Sequence, residues 1–98
     1  MIVTVFRSRI KEEARAGYMA LAPEISAVAR TMPGYISHKV FVAEDGERVT
    51  IVEFEDEASQ RNWSLNAEHV AAKKLGRRSF YSEYSIQVCP VARESRFP

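Results

Sequence analysis

The side chains best suited to proton-transfer chemistry beside an aromatic surface gather between Asp56 and Gly76, DEASQRNWSLNAEHVAAKKLG. This stretch holds the single tryptophan, Trp63, and one of two histidines, His69. An imidazole titrates near neutrality, so His69 and His38 are the candidates for accepting a proton. An indole on a face otherwise lined by alanine and valine has two readings. One is core packing, because buried aromatics dominate core energetics; the other is the wall of a cavity that a flat apolar ligand fills. Tyr18 is a candidate second wall, and either Arg7, on an otherwise apolar strand, or the Gly76-Arg77-Arg78 turn is placed to hold an anion.

Each candidate carries a plainer alternative. His38 also reads as a satisfied, half-buried strand residue and Tyr18 as core packing. Arg77 and Arg78 also read as solvated or paired with Glu83, and Arg7 as part of a contact between copies of the chain. Glu53 and Glu55 share the strand face opposite Phe54, where a surface role accounts for them. The sequence contains no phosphate loop, nucleophile elbow, or zinc or calcium motif.

The elements that must position these residues follow from periodicity. Ile2 to Arg9, IVTVFRSR, is apolar at both parities, as a central strand buried on both faces requires. Tyr18, Leu21, Ile25, Val28 and Met32 are spaced three and four apart, so Lys11 to Met32 is a helix with one core-facing stripe. Pro23 inside it removes an amide and crowds the carbonyl of Met19, which predicts a kink or break. Pro33 and Gly34 end that helix. Tyr35 to Ala43 and Arg48 to Glu55 alternate as strands around the hairpin signal Asp45-Gly46. Ser64, Leu65 and Asn66 interrupt the second helical region, giving two short helices that meet near Asn66. Asn66 caps the second, and Glu68 lies favourably against its positive end. Counting from Trp63, Val70 and Ala71 share its face if the helical phase survives the break, while His69, six ahead, points off that stripe. Glu83 to Ala92 is the last strand, and Pro90 places it at a sheet edge or ends its pairing.

Ninety-eight residues with 46% apolar and 28% charged side chains describe one ordinary globular domain over residues 1–98, its last six residues a polar tail. A formal charge of +1 gives no electrostatic case for nucleic acid. The apolar run before Arg7 is too short for a secretory leader and no segment is long enough to span a membrane, so the expected location is cytoplasmic with no membrane partner. Cys89 has no second thiol for a disulfide or a metal site.

The order strand, helix, strand, strand, helix, strand predicts an α+β, ferredoxin-like βαββαβ fold, a four-stranded antiparallel sheet with both helices on one face. The other face would expose much of Val3, Val5, Val52, Phe54, Phe41 or their alternates, more than a monomer leaves wet. The expected cover is the same face of a second copy, a two-fold homodimer.

Four segments together resemble the antibiotic biosynthesis monooxygenase family of dimeric α+β barrels: ARTMPGY (Ala29 to Tyr35), TIVEFED (Thr50 to Asp56) leading to Trp63, NAEHVAAKKLGRRSFYSEY (Asn66 to Tyr84) and the closing IQVCPV. The resemblance implies a ferredoxin-like protomer, an obligate dimer, and a pocket between sheet and helices. Its members oxidise aromatic polyketides or quinols with dioxygen using no metal or flavin cofactor, or degrade haem. The haem-degrading pattern wants an asparagine on the first strand and an iron-ligating histidine ten residues beyond the tryptophan. Here the first strand offers Arg7 and Ser8, and Lys73 occupies the second position. A protonated ammonium has no lone pair for iron, so haem degradation is disfavoured. The cofactor-independent branch implies a small apolar or aromatic substrate, His69 as base, and a pocket built from Trp63, Tyr18, Arg7 and His38. The alternative is a non-catalytic dimer that binds a small molecule in the same pocket.

Overall fold

The computed structural model describes residues 1–66, 69, 70, 73 and 80–98. Among the described residues, four strands and two helices follow in the order expected: β1 (Ile2–Ile10), α1 (Arg15–Thr31), β2 (Tyr35–Val42), β3 (Arg48–Phe54), α2 (Glu57–Leu65) and β4 (Tyr81–Pro90). A short 3-10 turn, Glu12–Ala14, leads into α1. The strands form one antiparallel sheet in the order β2-β3-β1-β4, the ferredoxin-like arrangement. β4 is an edge strand that ends at Pro90, where a missing amide costs the ladder nothing further. Among the described residues no helix is long and apolar enough to cross a membrane.

Local chemistry sets the joints. Asp56 has extended backbone and its carboxylate accepts from the Ser59 amide at 2.8 Å, capping α2. Gly46, at φ +90°, makes the hairpin turn while Ala43 and Glu47 close it with a 2.8 Å backbone hydrogen bond. Of the two outcomes expected at Pro23, a kink or a break, the break does not occur: helix α1 runs from Arg15 to Thr31 through it. Packing of its apolar stripe on the sheet overrides the local loss of one hydrogen bond.

Antiparallel partners share a sheet face, so the register sorts the side chains. Three rows face the helices. His38, Val52, Thr4 and Val88 form the first row; Val40, Thr50, Phe6 and Ile86 the second; Val42, Arg48, Ser8 and Tyr84 the third. Beyond the first row Phe54, fully buried, meets Ala29 of α1 and Trp63 of α2 in the core, with Ile25, Val28 and Val52 against them. The open face instead carries Val3, Val5, Val49, Ile51 and Phe41. Val52 and Phe54, expected among the residues of that open face, lie under the helices, because β3 enters the sheet with Arg48 and its even-numbered neighbours turned inward.

Candidate functional site

A cavity of about 480 Å³ lies between the three inner rows and the helices, within the range that small-molecule sites occupy. Helix α1 supplies one wall through Tyr18, Leu21, Ala22, Ile25, Ser26 and Ala29. Tyr18, Leu21 and Ile25 belong to the stripe read from the sequence, and Ala22, Ser26 and Ala29 each stand one position after a residue of that stripe. From α2 come Gln60, Trp63 and Ser64, and beyond the helix break His69 and Lys73.

The break decides where His69 points. Asn66 leaves helical backbone at ψ 133° and accepts the Val70 amide through its carbonyl at 2.8 Å. Its side-chain oxygen accepts the His69 amide at 3.4 Å, so Asn66 caps the second helical segment as anticipated. The change of phase brings the imidazole onto the indole instead of away from it: the ring centroids lie 4.1 Å apart at 29°. His69 Nδ1 lies 3.0 Å from the Trp63 carbonyl. A carbonyl only accepts, so Nδ1 carries the hydrogen and Nε2 is the basic nitrogen. Burial pushes the His69 pKa down; the bond to the Trp63 carbonyl opposes this and the nearby Lys73 ammonium reinforces it. Ala71, Glu68 and the Gly76-Arg77-Arg78 turn lie outside the described residues.

His38 faces the same cavity from the first row, but both its nitrogens are engaged. Nδ1 is 2.6 Å from the Tyr35 hydroxyl and Nε2 3.2 Å from Ser26 Oγ. Burial, and then Arg30, hold its pKa down. Two satisfied nitrogens leave it less free than His69 to take a proton from a ligand.

Tyr18 does line the cavity, against Phe80 and Tyr81 at centroid distances of 5.9 Å. Burial, and then Tyr18, raise the Tyr81 pKa, so this phenol stays protonated. Arg7 does not line it. Its register partners Val49 and Ser85 put it on the open face, where it donates to Glu47 Oε1 at 2.9 Å. Odd positions of β1 point away from the helices, so an arginine there meets the hairpin carboxylate and not the pocket.

The guanidinium that faces the cavity is Arg48, which the sequence reading passed over as the start of a strand. It lies 5.1 Å from the Tyr18 ring centroid. The available signal was parity: Arg48 falls in step with Thr50, Val52 and Phe54, an arginine on an inward face. Thr4 was also missed, as a polar residue in an apolar strand. Among the described residues no group of histidine, cysteine, aspartate and glutamate side chains is arranged to hold a metal ion.

The family model described as "Antibiotic biosynthesis monooxygenase" matches residues 1–75. The chain is 29% identical over 93 residues to YqjZ of Bacillus subtilis, an uncharacterized protein, covering 95% of this chain and 82% of that one. Among solved structures it resembles SnoaB, described as a cofactor-independent oxygenase from Streptomyces nogalater, with a TM-score of 0.80 at 15% identity over 95% of this chain and 94% of that one. It also resembles Rv0793 of Mycobacterium tuberculosis, with a TM-score of 0.84 at 14% identity over 97% and 98% of the two chains.

Proposed function

The chain belongs to the antibiotic biosynthesis monooxygenase family, and from that premise we propose that it oxidises a small aromatic, quinol or polyketide-like molecule with dioxygen, without metal or flavin. The observation that carries this reading is the pinned imidazole. His69 offers one basic nitrogen, Nε2, on a ring that lines an apolar cavity and is stacked on Trp63.

In this reading His69 takes a proton from an activated C–H or O–H of the bound ring system, leaving a delocalised anion. The anion donates electrons to dioxygen, and a carbon–oxygen bond forms to give a peroxide. For an activated methylene, His69 returns its proton to the peroxide and then takes the second proton from the same carbon, which breaks the O–O bond. One oxygen remains as a carbonyl, and the other leaves as hydroxide and becomes water with the proton held on His69. Trp63 and Tyr18 hold the flat substrate and keep water out, which strengthens electrostatic interaction with the anion.

The same reading makes the protein a two-fold dimer through the open sheet face. Val3, Val5, Val49, Ile51 and Phe41 lie on it, with Phe41 49% exposed. An apolar sheet face of this kind calls for a matching one.

The test is oxygen uptake by purified protein against a panel of quinols and hydroxylated polycyclic aromatics, with Trp63→Phe and His69→Ala alongside. Uptake above autoxidation that falls in both variants supports the proposal. Binding seen as Trp63 quenching without uptake would replace it with a non-catalytic binding protein.

A further inference from the structure

The serine that α1 turns into the cavity departs from the usual habit of a helical hydroxyl. Thr31 and Ser64 each donate back to the carbonyl three residues earlier, Val28 and Arg61. Ser26 Oγ instead lies 3.2 Å from His38 Nε2, its one hydrogen bond among the described residues, and both side chains line the cavity. On the other side of the ring, Nδ1 lies 2.6 Å from the Tyr35 hydroxyl. Tyr35 and His38 are three apart on one strand, so simple alternation would put them on opposite faces. A bulge prevents this: Tyr35 pairs with Phe54 but Ser37 with Glu53, which leaves Tyr35 on the helix side beside His38.

A hydroxyl in the cavity, an imidazole behind it and a phenol behind that follow the order of a nucleophile, its base and the group that orients the base. A neutral imidazole has one acceptor nitrogen. With the hydrogen on Nδ1, toward Tyr35, Nε2 is left to accept from Ser26; a phenol accepts as well as donates, so Tyr35 supports that tautomer. Burial, and then Arg30, favour the neutral ring, the form that takes a proton.

A second, independent observation points to a ligand oxygen. Thr4 Oγ1 is buried without a hydrogen-bond partner among the described residues, and Thr4 lines the same cavity. An unpaired buried hydroxyl is costly. Thr4 shares the first inner row with His38, across Val52, so the two strand positions lie about 10 Å apart.

We propose that Ser26 and His38, with Tyr35 positioning the imidazole, form a second catalytic site that hydrolyses small apolar carboxylic esters, Thr4 donating to the acyl oxygen. This goes beyond the oxygenase reading and does not depend on it. Ser26 Oγ attacks the ester carbonyl carbon as its proton passes to His38 Nε2. Negative charge builds on the carbonyl oxygen, where the Thr4 hydroxyl meets it. The adduct then breaks its bond to the alcohol oxygen, which leaves with the proton from Nε2. Water attacks the acyl-serine and gives its proton to His38; the acyl–Oγ bond breaks, Ser26 recovers the proton and a carboxylic acid departs. Ester and water become acid and alcohol, with nothing oxidised or reduced.

The test follows release of p-nitrophenolate from its acetate and benzoate esters under nitrogen, beside labelling with a fluorophosphonate and mass spectrometry of the adduct. The wild type is expected to cleave both esters above the buffer rate and to carry a single phosphonyl group, on Ser26. Ser26→Ala should lose cleavage and label together, and His38→Gln should lower kcat by about 10²- to 10⁴-fold, both with unchanged circular dichroism. Tyr35→Phe should lower kcat while leaving KM in place, a split that general loosening of the fold would not produce. Thr4→Val should lower kcat by about 10²- to 10³-fold. No cleavage by the wild type, an adduct on His69 or any residue other than Ser26, or turnover retained by Ser26→Ala would overturn the inference. An unchanged kcat in Tyr35→Phe or in Thr4→Val would overturn the part given to that residue. Because dioxygen is excluded, none of these results bears on the oxygenase reading, and oxygen uptake tests that reading alone.

Discussion

The imidazole of His69 lies flat against the indole of Trp63 at 4.1 Å, and its Nδ1 donates to the carbonyl of that same residue at 3.0 Å. One residue thus supplies both the wall of the cavity and the hydrogen bond that fixes the tautomer of the candidate base. The arrangement exists because Asn66 interrupts the helix between them.

If His69 is the base, stacking and proton transfer are separable. His69→Phe keeps an aromatic ring against Trp63 and removes the nitrogen. We expect kcat/KM to fall by about 10²- to 10⁴-fold in His69→Phe and His69→Ala alike, the usual contribution of general base catalysis. Substrate quenching of Trp63 should persist in His69→Phe. Steady-state oxygen uptake beside fluorescence titration distinguishes this from a purely structural role, in which His69→Phe would retain turnover.

Burial holds the His69 and His38 pKa values below the ordinary 6.5. Between those lowered values and 6.5 the unfolded chain binds protons that the folded chain does not. Stability is therefore full above the ordinary value and declines as pH falls through the window. Denaturant titrations across this range should show unfolding midpoints that drop on the acid side. The acid limb of kcat/KM should likewise have its midpoint below 6.5, since the neutral imidazole is the active form; a midpoint above it would contradict the assignment.

Gly34 sits at φ +82° between α1 and β2, and a Cβ there would run into the Ser59 side chain on α2. Its carbonyl also accepts the Glu55 amide at 2.8 Å. Gly34→Ala combines left-handed backbone strain with that collision, so a loss of about 1–3 kcal/mol is expected. Thermal unfolding measures it. Truncating Ser59 to alanine in the same chain should recover only a small part of the loss, because it removes the hydroxyl but leaves the Ser59 Cβ in the way and the backbone strain unchanged.

The dimer proposal places Ile51 and Phe41 in a sheet-to-sheet contact. Ile51→Asp puts a carboxylate into that apolar surface, and the desolvation it demands should shift the protein to monomer. Sedimentation velocity at matched concentrations tests this. A wild type that sediments as a monomer would overturn the proposed interface outright.

Strand and helix patterns were legible because each face of the sheet and the stripe of α1 repeat with their own period. The last strand was legible for the same reason, although it runs from Tyr81 to Pro90 and not from Glu83 to Ala92, and Pro90 ends it as its missing amide implies. Side-chain direction was less accessible. Arg7 and Arg48 are both arginines on apolar strands, and only the pairing of β1 with β3 shows that the first faces Glu47 and the second the cavity. His69 was placed off the Trp63 stripe by counting along one continuous helix. The Asn66 break changes the phase, and periodicity has no means of stating by how much. At Pro23 the local cost left a kink and a break both open, and packing of the whole helix rules out the break.

The most direct test of the central claim is to supply isotopically labelled dioxygen to metal-free protein with a polycyclic aromatic bearing an activated methylene. The account predicts one labelled oxygen atom in the product carbonyl, with the label largely lost in His69→Ala. Product oxygen drawn from solvent, or full labelling by His69→Ala, would contradict it.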